Sequence, residues 1–168
     1  QCPTPEGMRA IALAHRQFGT VAVTPTVITD THDVVAAAAD AAIRANGDSG
    51  IVGLHIEGPH ISKVRRGTHD AQYVRPMDYA TIGVVAKLRG AGISTMITLA
   101  PEATTLDQIA KLAALGAVVS LGHTNATSAQ MTAAFAAGAS CATHLFNAMS
   151  PMLNRSPGAV GAVINSQA

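Results

Sequence analysis

Charge is scarce in this sequence. Only 12 % of its 168 residues are Asp, Glu, Lys or Arg, about half the share usual for a soluble domain, and the net charge is +1. Such a chain carries no basic stripe for nucleic acid and no polybasic patch for an anionic membrane, so neither partner is expected. Cysteine is nearly absent: Cys2 and Cys141 are too few for a disulfide framework, and a reducing, cytoplasmic setting is expected. No apolar run reaches the roughly 18 residues of a transmembrane helix, and no signal-peptide pattern precedes the first helix. The sequence also lacks an initiating Met. Gln1 and Cys2 lead straight into a helix start, so the true N-terminus is expected to precede residue 1.

Apolar residues, by contrast, make up 48 % of the chain, enough to bury surface on several sides. They fall into five helix-then-strand units. Thr4 caps a helix over 5–18 with Pro5 in its first position, where proline is favoured, and Gly19 ends it; the β-branched run Thr20–Ile28 follows. A second helix, 33–46, stops at Gly47 before the strand Ile51–Glu57. A third, from Asp78 to Gly90, precedes Ile93–Leu99. A fourth starts at Thr104, with Asp107 placed as in a capping box, and stops at Gly116 before Ala117–Leu121. A fifth, 127–137, stops at Gly138 and feeds Cys141–Leu145, with a further strand start near Gly161–Ile164. Alternating helices and strands indicate a parallel sheet. Two architectures satisfy this: an open doubly wound sheet, or part of a (β/α)8 barrel, which needs eight strands and about 250 residues. The one long connection, Gly58 to about Met77, follows a strand end, where such folds place their sites.

Three metal-ligand residue types stand at strand ends: Glu57 in HIEGP, His123 in SLGHTNAT and His144 in CATHLFNAM. A lone histidine there is more often structural. Three ligand-type residues at one edge of one sheet make a candidate centre, because two imidazoles and a carboxylate hold catalytic zinc and leave a position open; Fe²⁺ and Co²⁺ suit the same donors. Gly58 and Gly122 would let backbone approach closely. His55 shares the face of Glu57 and is expected to support the ligands rather than join them. His60 and His69, in the long loop, are candidate substrate contacts. His15 and His32 read as solvent or cap residues, and Met77, Met96, Met131 and Met149 as core. Lys63, Arg65, Arg66 and Arg75 read mainly as a solvated loop face. Arg155 suits bidentate anion binding, with backbone N–H donors available near Asn147 and Ala148.

The segments GLHIEGPHIS, RRGTHD, ITLAPE, SLGHTNAT and THLFNAMSPM, with Arg155 after them, resemble the N-acetylglucosamine-6-phosphate deacetylases of the amidohydrolase superfamily over nearly the whole chain. The resemblance implies the barrel alternative: an α/β chain forming the central portion of a metal-dependent (β/α)8 barrel, with about five βα units present. It implies hydrolysis of the acetamide of N-acetylglucosamine 6-phosphate with one or two divalent ions, zinc foremost, held by Glu57, His123 and His144. It matches Thr68, His69, Asn147 and Ala148 to substrate contacts. Arg155 matches a phosphate contact, which in the family can cross the interface of a homodimer. The family's acid/base aspartate is expected beyond residue 168, and neither Asp70 nor Asp78 occupies its place. Another amidohydrolase activity, a deaminase or cyclic-amide hydrolase, remains an alternative, as does a non-catalytic phosphosugar- or metal-binding fragment.

Overall fold

The computed structural model describes residues 3–166, so Cys2 lies outside the described residues. Five parallel strands stand in sequence order: β1 (Thr26–Ile28), β2 (Gly53–Glu57), β3 (Ser94–Leu99), β4 (Val118–Leu121) and β5 (Cys141–Ala142). Between them run α1 (Pro5–Arg16), α2 (His32–Ala45), α3 (Tyr79–Gly90), α4 (Leu106–Ala114) and α5 (Ser128–Ala136), and α6 (Gly158–Ile164) closes the series.

Local chemistry sets the helix starts. The side chains of Thr4, Thr31, Asp78, Thr105 and Thr127 accept hydrogen bonds from N–H groups in the first turns of α1 to α5, satisfying donors that a helix leaves unpaired. The fourth helix begins one residue later than expected. Thr104 is extended as it leaves the short turn Pro101–Ala103, so Thr105 becomes the cap and Gln108, not Asp107, returns the reciprocal bond. Gly19, Gly47, Gly116 and Gly138 adopt the left-handed conformation after their helices. The segment Gly161–Ile164 is helical, not a strand. The first strand is also shorter than expected: only Thr26–Ile28 joins the ladder, with one further bridge from Val23 to Ile51.

Register separates the two faces of the sheet. Ile56 pairs with Ile97 and Ile97 with Val119; these side chains, with Leu54, Leu99 and Leu121, are fully buried in the core with Val35, Val85, Leu88, Ile109, Leu112 and Met131 of the helices. The alternate positions are polar. Thr26 pairs with His55, Glu57 with Thr98, and Thr98 with Ser120, so one inner face carries Thr26, His55, Glu57, Thr98 and Ser120. Met96 pairs with His55 and is only half-buried on that inner face, whereas Met77, Met131 and Met149 are core as expected.

Candidate metal centre

Glu57 is the last residue of β2, His123 lies two residues beyond β4, and His144 two residues beyond β5. A parallel sheet brings these ends to one edge, and their ligand atoms lie within 4.8 Å of one another. The Nε2–H groups of His123 and His144 both donate to Glu57 Oε1, at 3.1 and 2.9 Å. Both histidines have left-handed backbone (φ 46° and 57°), which turns their rings back toward the carboxylate, centroids 5.3 Å apart.

The electrostatics fit a cation. The His123 hydrogen bond outweighs desolvation and holds the Glu57 carboxyl down at about 2, so Glu57 is anionic at neutral pH. Burial alone would lower the basicity of His123, but its bonds to Glu57 and to the Arg65 carbonyl raise it above the ordinary histidine value. The Nδ1–H of His123 donates to Arg65 O at 2.9 Å. That bond keeps a proton on Nδ1, so the Nε2 proton now shared with Glu57 is the one that an ion would displace to gain a lone pair. Two imidazole nitrogens and a carboxylate oxygen converging from three strand ends suit a divalent ion, and all three are residues that the sequence put forward.

Around this trio the expectations divide. His55 supports the site without entering the cluster: Nε2 bonds to Thr98 Oγ1 (2.7 Å) and Nδ1 to Thr26 Oγ1 (3.1 Å), and burial lowers its basicity. His69 is buried, its ring 4.6 Å from that of His123. Its Nδ1 accepts from the Thr29 N–H (3.4 Å) and lies 2.7 Å from Thr29 Oγ1. His60 is not a substrate contact: it is fully buried, with Nδ1 donating to the carbonyls of Arg75 and Pro76 and Nε2 against Thr81 Oγ1. His32 does more than face solvent: its Nε2 hydrogen-bonds to Asp78 Oδ2 at 2.9 Å.

Lys63 is exposed, as expected, but the three loop arginines brace the structure rather than forming a solvated face. Arg75 donates to Asp78 and to the Asp30 carbonyl, Arg65 to Asn125, and Arg66 to the His69 carbonyl. Thr68 is exposed beside His69. Asn147 is exposed, but its N–H is already used by the His144 carbonyl and is not a free donor. Ala148 has a left-handed backbone and its carbonyl accepts from the Thr124 N–H. Arg155 is exposed in the turn Leu153–Ser156.

Two contributors escaped the sequence reading. Thr29 follows β1 at the same edge, so the strand-end argument used for Glu57 would have found it; an added Cβ on Gly58 (φ 76°) would collide with its hydroxyl. The carbonyl of Arg65 carries no side-chain signal at all.

No protein-family model matches the chain. Among curated proteins it is 46 % identical, over 98 % of its own length and 42 % of the other's, to an N-acetylgalactosamine-6-phosphate deacetylase of Shewanella sp. (strain ANA-3). It is 43 % identical, over 68 % of its length and 30 % of the other's, to an N-acetylglucosamine-6-phosphate deacetylase of Lysinibacillus sphaericus. Among solved structures it superposes on a mutant N-acetyl-D-glucosamine-6-phosphate deacetylase of Mycobacterium smegmatis in complex with N-acetyl-D-glucosamine-6-phosphate. The TM-score is 0.82 at 36 % identity, over 95 % of this chain and 42 % of that one. The Pasteurella multocida N-acetylglucosamine-6-phosphate deacetylase gives 0.80 at 37 % identity, over 88 % and 39 %. The chain thus spans about two fifths of the relatives it matches end to end, and its five strands are part of an amidohydrolase-type (β/α)8 barrel. In sequence and fold, this chain belongs to the N-acetylglucosamine-6-phosphate deacetylase family.

Proposed function

We propose that this chain supplies the metal-binding part of a deacetylase that hydrolyses the acetamide of N-acetylglucosamine 6-phosphate to glucosamine 6-phosphate and acetate. The observation that carries the reading is the convergence of Glu57, His123 and His144 within 4.8 Å at one sheet edge. These residues hold the ion: Glu57 brings the charge, and the two imidazoles bring Nε2 lone pairs. Zinc is the expected occupant, with iron or cobalt compatible. A divalent ion there supplies Lewis acidity to a carbonyl oxygen and acidity to water.

The remaining work falls to the chain's own residues. His69 is neutral, since burial lowers its basicity. With Nδ1 accepting from Thr29, its Nε2 carries the proton and serves as a hydrogen-bond donor to the substrate, with Thr68 beside it. Arg155 binds the phosphate, and the turn at Asn147 and Ala148 lines the sugar. Exposed Met152 and Leu153, close to Arg155 in sequence, support a homodimer contact there. The metal-competent group includes no aspartate, so the proton carrier between water and the leaving amine is assigned to an aspartate outside these residues. A phosphate monoester is charged and does not cross membranes unaided, which supports a reaction in the compartment where the phosphosugar is made, the cytoplasm in this reading.

The 46 % identity to the Shewanella protein favours one second reading, the C4 epimer N-acetylgalactosamine 6-phosphate. Acetate release from the intact protein, measured with both phosphosugars and with unphosphorylated N-acetylglucosamine, separates these. Turnover of N-acetylglucosamine 6-phosphate in clear preference is expected; preference for the galactose epimer establishes the second reading, and failure with both phosphosugars overturns the assignment.

A further inference from the structure

Of the three candidate ligands, His144 is the least held by the sheet. Its side chain is 44 % exposed, against 7 % for His123 and 11 % for Glu57. It lies beyond the last paired residues of β5, and Leu145, Phe146 and Asn147 after it are exposed. Phe146 and Ala148 are left-handed as well, so no regular ladder fixes this turn. Its neighbour Thr143 is differently placed. The Thr143 N–H donates to the Leu121 carbonyl at 2.9 Å, and its hydroxyl lies 2.7 Å from Thr98 Oγ1 and 2.6 Å from Ser120 Oγ.

Those bonds end a longer run. Thr26, His55, Thr98, Thr143 and Ser120, from β1, β2, β3, the end of β5 and β4, form one continuous side-chain hydrogen-bond chain across the sheet. A neutral imidazole has one donor and one acceptor nitrogen, and each hydroxyl can donate once and accept. Every link can therefore be satisfied in a single direction. Thr98 and Ser120 are completely buried, so their bonds to Thr143 are made away from competing water, where an unmade bond is costly.

A second observation points to the same residue. Gly122 does not have the positive φ of the loop glycines, so its backbone would accept a side chain. A Cβ there would instead lie 2.9 Å from Thr143 Cβ and 3.1 Å from Thr98 Cγ2. Glycine at 122 leaves the room in which Thr143 reaches across to Thr98.

We infer that Thr143 is a positioning residue for the metal centre: its hydroxyl, clasped by Thr98 and Ser120 over Gly122, sets the turn that presents the His144 imidazole to Glu57. This rests on the reading of Glu57, His123 and His144 as metal ligands. Truncating partners that orient a ligand costs about 10- to 100-fold in metal affinity. Thr143→Val keeps the shape and removes the hydroxyl, whereas Thr143→Ser keeps the hydroxyl.

The test uses the intact protein stripped of metal, with zinc affinity measured by competition against a chromogenic chelator and the visible spectrum recorded after cobalt loading. Thr143→Val is expected to bind zinc at least about tenfold more weakly with an altered cobalt spectrum, while Thr143→Ser stays near wild type. Equal affinities and spectra for Val and Ser variants, whether both intact or both impaired, overturn the proposal, even if the Val variant melts earlier. Should Thr143→Val fail to fold, Ser120→Ala and Gly122→Ala carry the comparison, and unchanged zinc affinity in both overturns it. Wild-type protein that takes up no zinc overturns the metal-centre reading itself, and the positioning role with it.

Discussion

Glu57 is a buried anion that the rest of the site makes tolerable. A lone carboxylate in that position would cost several kcal/mol in desolvation, yet two imidazole N–H groups share its Oε1 and keep it ionised. Asp78 shows the same physics at a structural position. Burial pushes its carboxyl up, but the Thr81 N–H, His32 and Arg75 together hold it well below the usual carboxylate range. A carboxyl depressed in the folded state contributes stability that is present above its unfolded value near pH 4, and that is lost as pH falls toward the folded value. Asp78→Asn keeps an acceptor for the helix cap but removes the charge. Wild type is expected to be the more stable in urea at pH 7, with the difference shrinking below about pH 4. A difference that stays constant on acidification would contradict this account of Asp78.

At the scale of elements, the sheet's outer face carries the stability and its inner face carries the chemistry. Ile97 lies on the outer face of the middle strand and is fully buried; replacing it with Ala is expected to cost about 2–5 kcal/mol. Val118→Ala, on the half-exposed start of β4, is expected to cost well under that, and equal losses by chemical denaturation would count against the division of faces. This scale is also where the sequence was most legible. Apolar runs ended by glycine stops marked all five helix–strand units, and the strand ends put forward Glu57, His123 and His144. What stayed hidden has physical causes. Gly161–Ile164 is small and apolar, a pattern that a short buried helix and a strand share. Thr104 and Thr105 are equally good caps by residue type, and the turn over Pro101–Ala103 chose between them. The buried role of His60 and the bracing by Arg65 and Arg75 arise from partners distant in sequence, which no local pattern encodes.

For the whole molecule, β1 and β5 each pair with a single strand among the described residues, and Phe18, Val21, Phe146 and Leu153 are strongly exposed. Unpaired edges and apolar surface favour association. The 168-residue polypeptide alone is expected to be oligomeric or poorly soluble by light scattering, and a monomer with a cooperative melt would contradict that. The central claim is that three residues from three strand ends form one metal centre. Zinc bound per chain after equilibrium dialysis, for the intact protein and its Glu57→Ala and His144→Ala variants, tests it most directly. The expected result is stoichiometric zinc in the wild type and a loss from this site in each variant; wild-type protein without zinc, or variants that retain the full complement, would contradict it.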